Sequence, residues 1–444
     1  MVLLGLWLCS YLVSLDVLFQ LKPFDLVSPV AMFTFRKELR TFLRSPLLIA
    51  RAMRWLWLIA VLSSFWTFLS AQSVLVFAVI PLRLFRFAAY LSAFGVLFTV
   101  PLTPVQRKRL IGVVAFAALG EAGLIILQEL GLAPILWPRY EHIYDYTVPT
   151  GTLALNHVNN VVFMLTGISA LLTWSLLTNR RLGWITAGVG APAMAAAIVF
   201  GQARLGIVGI PLLIVTLILV LRAKGVLFVG AMVLTAVLFG GAVLAGVVDT
   251  ASMVWSRRMI GRVADPHDPE SYMEMDQSRA RIRRLAIRGF AEYPVALITG
   301  VGFQNFKLLV HRHAVAAHNL YLELLGELGL PGLLAFLAMM RGLFRLFRLR
   351  SRQEKRIADA LSIAMALAAT LLILGVANET LYPKRPIPGF LGFVMGYWGL
   401  VTGLVRESRW TAPQRSPGIH RFVTGGRRRH HVPYGSTSFR KVMD

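Results

Sequence analysis

The sequence is poor in cysteine and in charge. Cys9 is its only cysteine, which excludes a disulfide framework and a thiolate metal centre. Charged residues make up 15% of the 444 positions against 57% hydrophobic ones, too few polar side chains to cover a soluble domain of this size. Acidic residues are scarcer still, with 21 Asp and Glu against 46 Lys and Arg. Such an excess first suggests nucleic acid. The basic residues, however, are scattered in short segments between apolar runs and in the C-terminal tail. Topology signals beside anionic lipid account for them, and no nucleic-acid partner is expected. The N-terminus, MVLLGLWLCSYLVSL, lacks a basic leader and a small-residue cleavage site; it reads as a retained first helix. No internal repeat or low-complexity tract is visible.

What the chain has in quantity is long apolar runs. Spans fall near 3–20, 23–35, 55–80, 86–102, 110–130, 154–178, 183–201, 205–221, 225–247, 321–343, 357–377 and 387–405, which predicts an all-α polytopic integral membrane protein of about 12 transmembrane helices. The run at 23–35 is short and holds Pro23 and Pro29, so it suits a half-span. The basic segments at 36–54, 106–109, 179–181, 222–224 and 350–356 fall on one side of that arrangement, which the positive-inside rule assigns to the cytoplasm. The arginine-rich tail after Val405 agrees, so both termini are expected inside. Residues 248–320 form one loop of about seventy residues on the other side, too long for a plain connector. Four of the nine His and seven of the 21 Asp and Glu residues gather there.

Four stretches hold chemistry-bearing residues. In GQARLG, 201–206, Arg204 sits at the turn between two apolar helices; it either snorkels to headgroups or offers a guanidinium fork to a phosphate or diphosphate. In QSRARIRRLAIRGFAEYP, 277–294, Ile282, Ala286, Ile287, Phe290 and Tyr293 recur at helical spacing, which predicts an amphipathic helix inside the loop. Arg279, Arg281, Arg283, Arg284 and Arg288 take its other faces; most read as a solvated or lipid-surface face, and one or two can turn toward an anionic ligand. GVGFQNF, 300–306, has no strand-to-helix context for nucleotide binding, so Gly300 and Gly302 read as a tight turn returning the loop to the membrane. In AHNLYLELLGELGLPGLLAF, 317–336, Asn319 is a candidate N-cap, with Tyr321, Leu325 and Leu328 on one packed face. His318 is a structural cap or, beside an anion-binding arginine, a base for a hydroxyl. His311, His313 and His318 lack a familiar ligand spacing, so no metal site is expected.

The pattern H-N-x-Y-L-x-x-x-x-E-x-G-x-x-G, from His318 to Gly332, resembles the signature of the O-antigen ligase and polymerase superfamily. The upstream order agrees: Arg204 where that family carries a Ser-Arg pair at a helix end, Arg279 opening a helix that reaches Pro294, then a Gly-x-Gly-x-x-Asn-Phe turn. Three departures stand out. Ala203 replaces the serine, Arg283 takes a position where an aromatic residue is common, and the link from Pro294 to Gly300 is longer than usual. The resemblance implies a metal- and cofactor-independent glycosyltransferase of the bacterial inner membrane, with its site on the periplasmic face. It moves a glycan from a polyprenyl (undecaprenyl) diphosphate carrier to a hydroxyl, in the ligase version that of lipid A-core in lipopolysaccharide. Carried over by position, His318 activates or orients the acceptor hydroxyl. Arg204 and Arg279, with Arg281 in reserve, bind the diphosphate, while Asn319, Tyr321, Glu327, Gly300 and Gly302 support the motif.

The expected organisation is then transmembrane helices 1–9 over 1–247, a large periplasmic loop with an amphipathic helix over 248–320, helices 10–12 over 321–405, and a basic, disordered cytoplasmic tail over 406–444. A polymerase that lengthens the glycan on its carrier and a transferase acting on a pilin-like protein share this donor chemistry. A small-anion transporter is the rival of a different class; it would use intramembrane charges such as Asp16 and Glu121.

Overall fold

The computed structural model describes residues 1–11, 22–69, 74–134, 152, 157–178, 180–200, 204–221, 282–303, 305–310, 319–349, 354–376, 381 and 389–411. Every regular element among them is helical: α1 Val2–Ser10, α2 Pro23–Thr34, α3 Arg36–Arg44, α4 Leu48–Leu69, α5 Val74–Thr99, α6 Pro104–Glu129, α7 His157–Leu177, α8 Arg180–Phe200 and α9 Arg204–Leu221. Then follow α10 (282–292), α11 Ala296–Thr299, a 3₁₀ turn Phe306–Leu308, α12 Leu320–Arg348, α13 Lys355–Leu374 and α14 Gly389–Thr411. Six described helices, α4, α5, α6, α7, α12 and α13, are long and apolar enough to cross a membrane. The described part of the protein is thus all-helical, with the apolar spans of a membrane protein. The span expected at 225–247, most of the 248–320 loop and the tail beyond 411 lie outside the described residues.

The third and fourth apolar runs are divided differently from the reading above. α4 begins at Leu48, well before 55, because Arg51 and Arg54 ride on its exposed face and depress the local hydropathy. The run read as one span over 55–80 is shared between α4 and α5. The segment 36–54, read as a connection, contains α3 and the first two turns of α4. α6 opens on a capping box, with Gln106 N donating to Thr103 Oγ1 and Thr103 N donating to Gln106 Oε1, and Pro104 filling the first helical position. Arg107 is buried there and donates to the carbonyls of Leu97 and Val100, closing the C-terminal end of α5.

The core is one continuous cluster formed by the spanning helices and α1, α2, α8, α9 and α14. α14 lies on α5 and α12 on α4; α7 packs between α6, α8 and α13, and α13 also carries α9. Small residues set these approaches. A Cβ at Gly399 would meet the Phe94 carbonyl at 2.6 Å, and one at Gly342 the Ile49 nitrogen at 2.7 Å. Buried polar groups pair across helices, Thr173 with Tyr397 at 2.8 Å and Thr216 with Thr370 at 2.9 Å, as expected where no water competes for them. Glu121 is likewise engaged, accepting from the backbone N–H and the hydroxyl of Thr152.

Candidate functional site

The site begins with a break in α12. Gly329 has φ +70° and interrupts the helix, and Pro331 has no N–H to offer the carbonyl four residues back, that of Glu327. Two main-chain acceptors on α12 take bonds from another segment instead. Val301 N donates to Gly326 O at 2.9 Å, and Gly302 N to Glu327 O at 3.1 Å. The approach is only possible without side chains. Gly300 has φ +69° and a Cβ there would overlap the Glu327 carbonyl; a Cβ at Gly329 would overlap the carbonyl of Ile298. Glu327 is 1% exposed, and its Oε1 accepts from Phe306 N at 3.0 Å. Gly300, Gly302 and Glu327 are therefore brought together in one joint, which fixes the loop's return segment on α12.

Around that joint sits a small second core of Ala286, Phe290, Ala296, Phe306, Leu309 and Val310. Its amphipathic helix, α10, buries Ala286 and Phe290 with Ile282 and Leu285 alongside. Ile287 and Tyr293, expected on that face, are 64% and 57% exposed. Gly289 takes the position instead, and a Cβ there would overlap the carbonyl of Leu309. Arg283, Arg284 and Arg288 are exposed. Arg279 and Arg281 lie outside the described residues. Phe303 reaches from the joint into the membrane bundle, stacking on Phe87 of α5 at 5.0 Å between ring centres. Periodicity had no means of pairing those two rings.

The start of α12 is anchored separately. Asn319 is its N-cap, accepting from Leu322 N at 2.9 Å and donating through Nδ2 to Val376 O at 2.8 Å. Leu320 N donates to Gly375 O at 2.7 Å and the Tyr321 hydroxyl to Leu372 O at 2.8 Å. Three consecutive residues thus bind carbonyls in the last turn of α13 and just past its end, so a helix start meets a helix end with favourable dipole alignment. The buried stripe that follows is Leu320, Leu324 and Leu328, with Tyr321 and Leu325 only half-buried. Asn319→Ala removes the cap and the Val376 contact, and is expected to cost about 1–2 kcal/mol. A melting temperature equal to wild type in detergent would show that the backbone bond of Leu320 suffices.

Arg204 opens α9. Just inside that helix, a Cβ at Gly209 would contact Leu374 at 3.2 Å, and one at Gly375 would meet Leu320 at 2.8 Å. The first turns of α9 and of α12 accordingly flank the same end of α13. His318 precedes the described start of α12 by two residues and lies, with His311 and His313, outside the described residues. Among the described residues no three His, Cys, Asp or Glu side chains converge.

A family model described as O-antigen ligase matches residues 189–337, which run from α8 through the joint and into α12. Comparison with curated proteins returned no match.

Proposed function

We propose, from the match of residues 189–337 to a family model described as O-antigen ligase, that the chain transfers a glycan from a polyprenyl diphosphate to a hydroxyl of lipid A-core at the periplasmic face. The family match supports ligase- or polymerase-type glycosyl transfer by a membrane protein. The observation that carries the site reading is that α9 and α12 begin at one end of α13, so the helix starts bearing Arg204 and following His318 flank the same helix end. In the proposed reaction the acceptor oxygen bonds to the anomeric carbon as the bond from that carbon to the diphosphate oxygen breaks. The diphosphate leaves with the electron pair, and the acceptor proton passes to the His318 imidazole.

The demands of that step match the residue types. A diphosphate is a good leaving group that needs charge neutralisation, which Arg204 and Arg279, or Arg281 in its stead, would supply by two-pronged bonds. A sugar hydroxyl is a weak nucleophile and needs positioning and a base. The proposal includes about 12 transmembrane helices with cytoplasmic termini, the domain boundaries 1–247, 248–320, 321–405 and 406–444, and an inner-membrane location. Asn319, Tyr321, Glu327, Gly300 and Gly302 hold the frame rather than touch the sugar.

The test is reconstituted transfer with a glycan-loaded polyprenyl diphosphate, lipid A-core and excess chelator. Glycan on lipid A-core identifies the ligase, whereas lengthening on the carrier identifies the polymerase. No transfer by folded protein with several donors and acceptors would return the weight to anion transport. Arg204→Lys is expected to lower the rate about ten- to hundredfold, because a point charge does not reproduce a fork on a diphosphate; an unchanged rate would mean that Arg204 only snorkels.

A further inference from the structure

Three largely buried arginines are described in the membrane bundle, and two of them have partners. Arg107 is satisfied by the carbonyls of Leu97 and Val100. Arg86 grips Asp25 with both prongs, Nε to Oδ1 at 2.9 Å and a terminal nitrogen to Oδ2 at 2.6 Å. Arg83 stands on the same helix as Arg86 and is only 7% exposed, yet it forms no ion pair or hydrogen bond with any described residue. A guanidinium has five donors and stays charged, and burying it in an apolar surround without an anion is strongly unfavourable. None of its nitrogens is among the fully buried atoms without a partner, so the stem is buried while the fork reaches the edge of the bundle, where an anion can meet it.

Its position indicates what is missing. Arg83 lies on the buried stripe of α5 between Ile80 and Phe87, one turn before Phe87 on the same face. Phe87 is the residue on which Phe303 of the joint stacks. At the other end of α5, Thr99 donates to the Glu38 carbonyl of α3, among the basic segments assigned to the cytoplasm. Arg83 is about 24 Å along the helix from Thr99, which in a hydrocarbon core about 30 Å thick sets it near the opposite surface. It is therefore at the level where a lipid headgroup lies and on the face of α5 that meets the joint.

We propose that Arg83 is a lipid-phosphate-binding residue, completed by a phosphate or diphosphate carried on a membrane lipid beside the Phe87–Phe303 stack. Two sources have this chemistry: the diphosphate of the polyprenyl donor and the headgroup of an anionic phospholipid. Only the donor source rests on the proposed transfer function. The site fits an acyl- or prenyl-tailed ligand better than a soluble anion, because the approach to a buried side chain of a spanning helix is through lipid.

The full chain, stripped of lipid in detergent, is titrated with undecaprenyl diphosphate, phosphatidylglycerol or neutral diacylglycerol, and retained lipid is read by native mass spectrometry. Arg83→Met is expected to weaken retention of the phosphate lipids about tenfold or more and to leave diacylglycerol unchanged. Arg83→Lys, with charge but no fork, falls between. The lipid-free Met variant is expected to melt at or above the wild-type temperature, because a largely buried charge with no partner among the described residues has been removed. A larger loss for the diphosphate lipid identifies the donor as the ligand, and an equal loss identifies the phospholipid headgroup. Unchanged retention of both phosphate lipids, or a Met variant that melts lower without lipid, overturns the proposal. Since no transfer is measured, a protein that binds these lipids but moves no glycan would sink the functional reading and leave this site standing.

Discussion

Gly300→Ala is expected to destabilise the protein by about 3–5 kcal/mol and to abolish its activity. The residue is held at φ +69°, where an L side chain costs about 1–2 kcal/mol. Its new Cβ would overlap the Glu327 carbonyl, so the return segment must lift off α12. That movement removes the bonds from Val301 to Gly326 and from Gly302 to Glu327, about 1 kcal/mol each, and uncovers the carbonyl that Pro331 already leaves without an intrahelical donor. Gly329→Ala meets the mirror obstacle at Ile298 and should behave alike. Gly120 supplies the control: it lies within α6 with nothing inside 4 Å of a Cβ, and its alanine variant should melt close to wild type. Gly300→Ala and Gly120→Ala variants melting together would mean that the joint does not exist as drawn.

How far this frame was readable in the sequence depended on the range of the interaction involved. Apolar runs with few charges, such as those of α6, α7 and α13, declared their helices within a few residues. α4 and α5 were misdivided because Arg51, Arg54, Arg83 and Arg86 break the hydropathy of helices that accommodate them by exposure, pairing or burial. The N-cap at Asn319 was legible because capping is local chemistry. Its grip on Val376 was not, because that partner is 57 residues away. On α10 the spacing found Ala286 and Phe290 but substituted Ile287 and Tyr293 for Gly289, whose role is close approach and which no hydrophobic pattern can register. The break at Gly329 falls inside a run read as one uninterrupted span over 321–343, and nothing in the sequence said that Gly302 would meet the freed carbonyl of Glu327. Of the proposed reacting residues, His318, Arg279 and Arg281 rest on motif order alone, and Arg204 on that order together with the position of its helix.

His318→Ala is expected to lower transfer by about 10²–10⁴-fold, the range associated with losing a general base, while leaving melting temperature and donor binding near wild type. The separation is expected because the α12 start is held by Asn319, the Leu320 N–H and the Tyr321 hydroxyl, none of which requires the imidazole. Asn319→Ala therefore serves as the structural comparison: it should lose stability and activity together, whereas His318→Ala should lose activity alone. If His318→Ala lost donor binding instead, the imidazole would belong with the arginines on the diphosphate rather than with the acceptor. A wild-type transfer rate in His318→Ala would remove the residue from the reaction altogether. Separate measurements of donor retention, melting and turnover on these two neighbouring positions thus divide the frame from the chemistry, one residue apart in the chain.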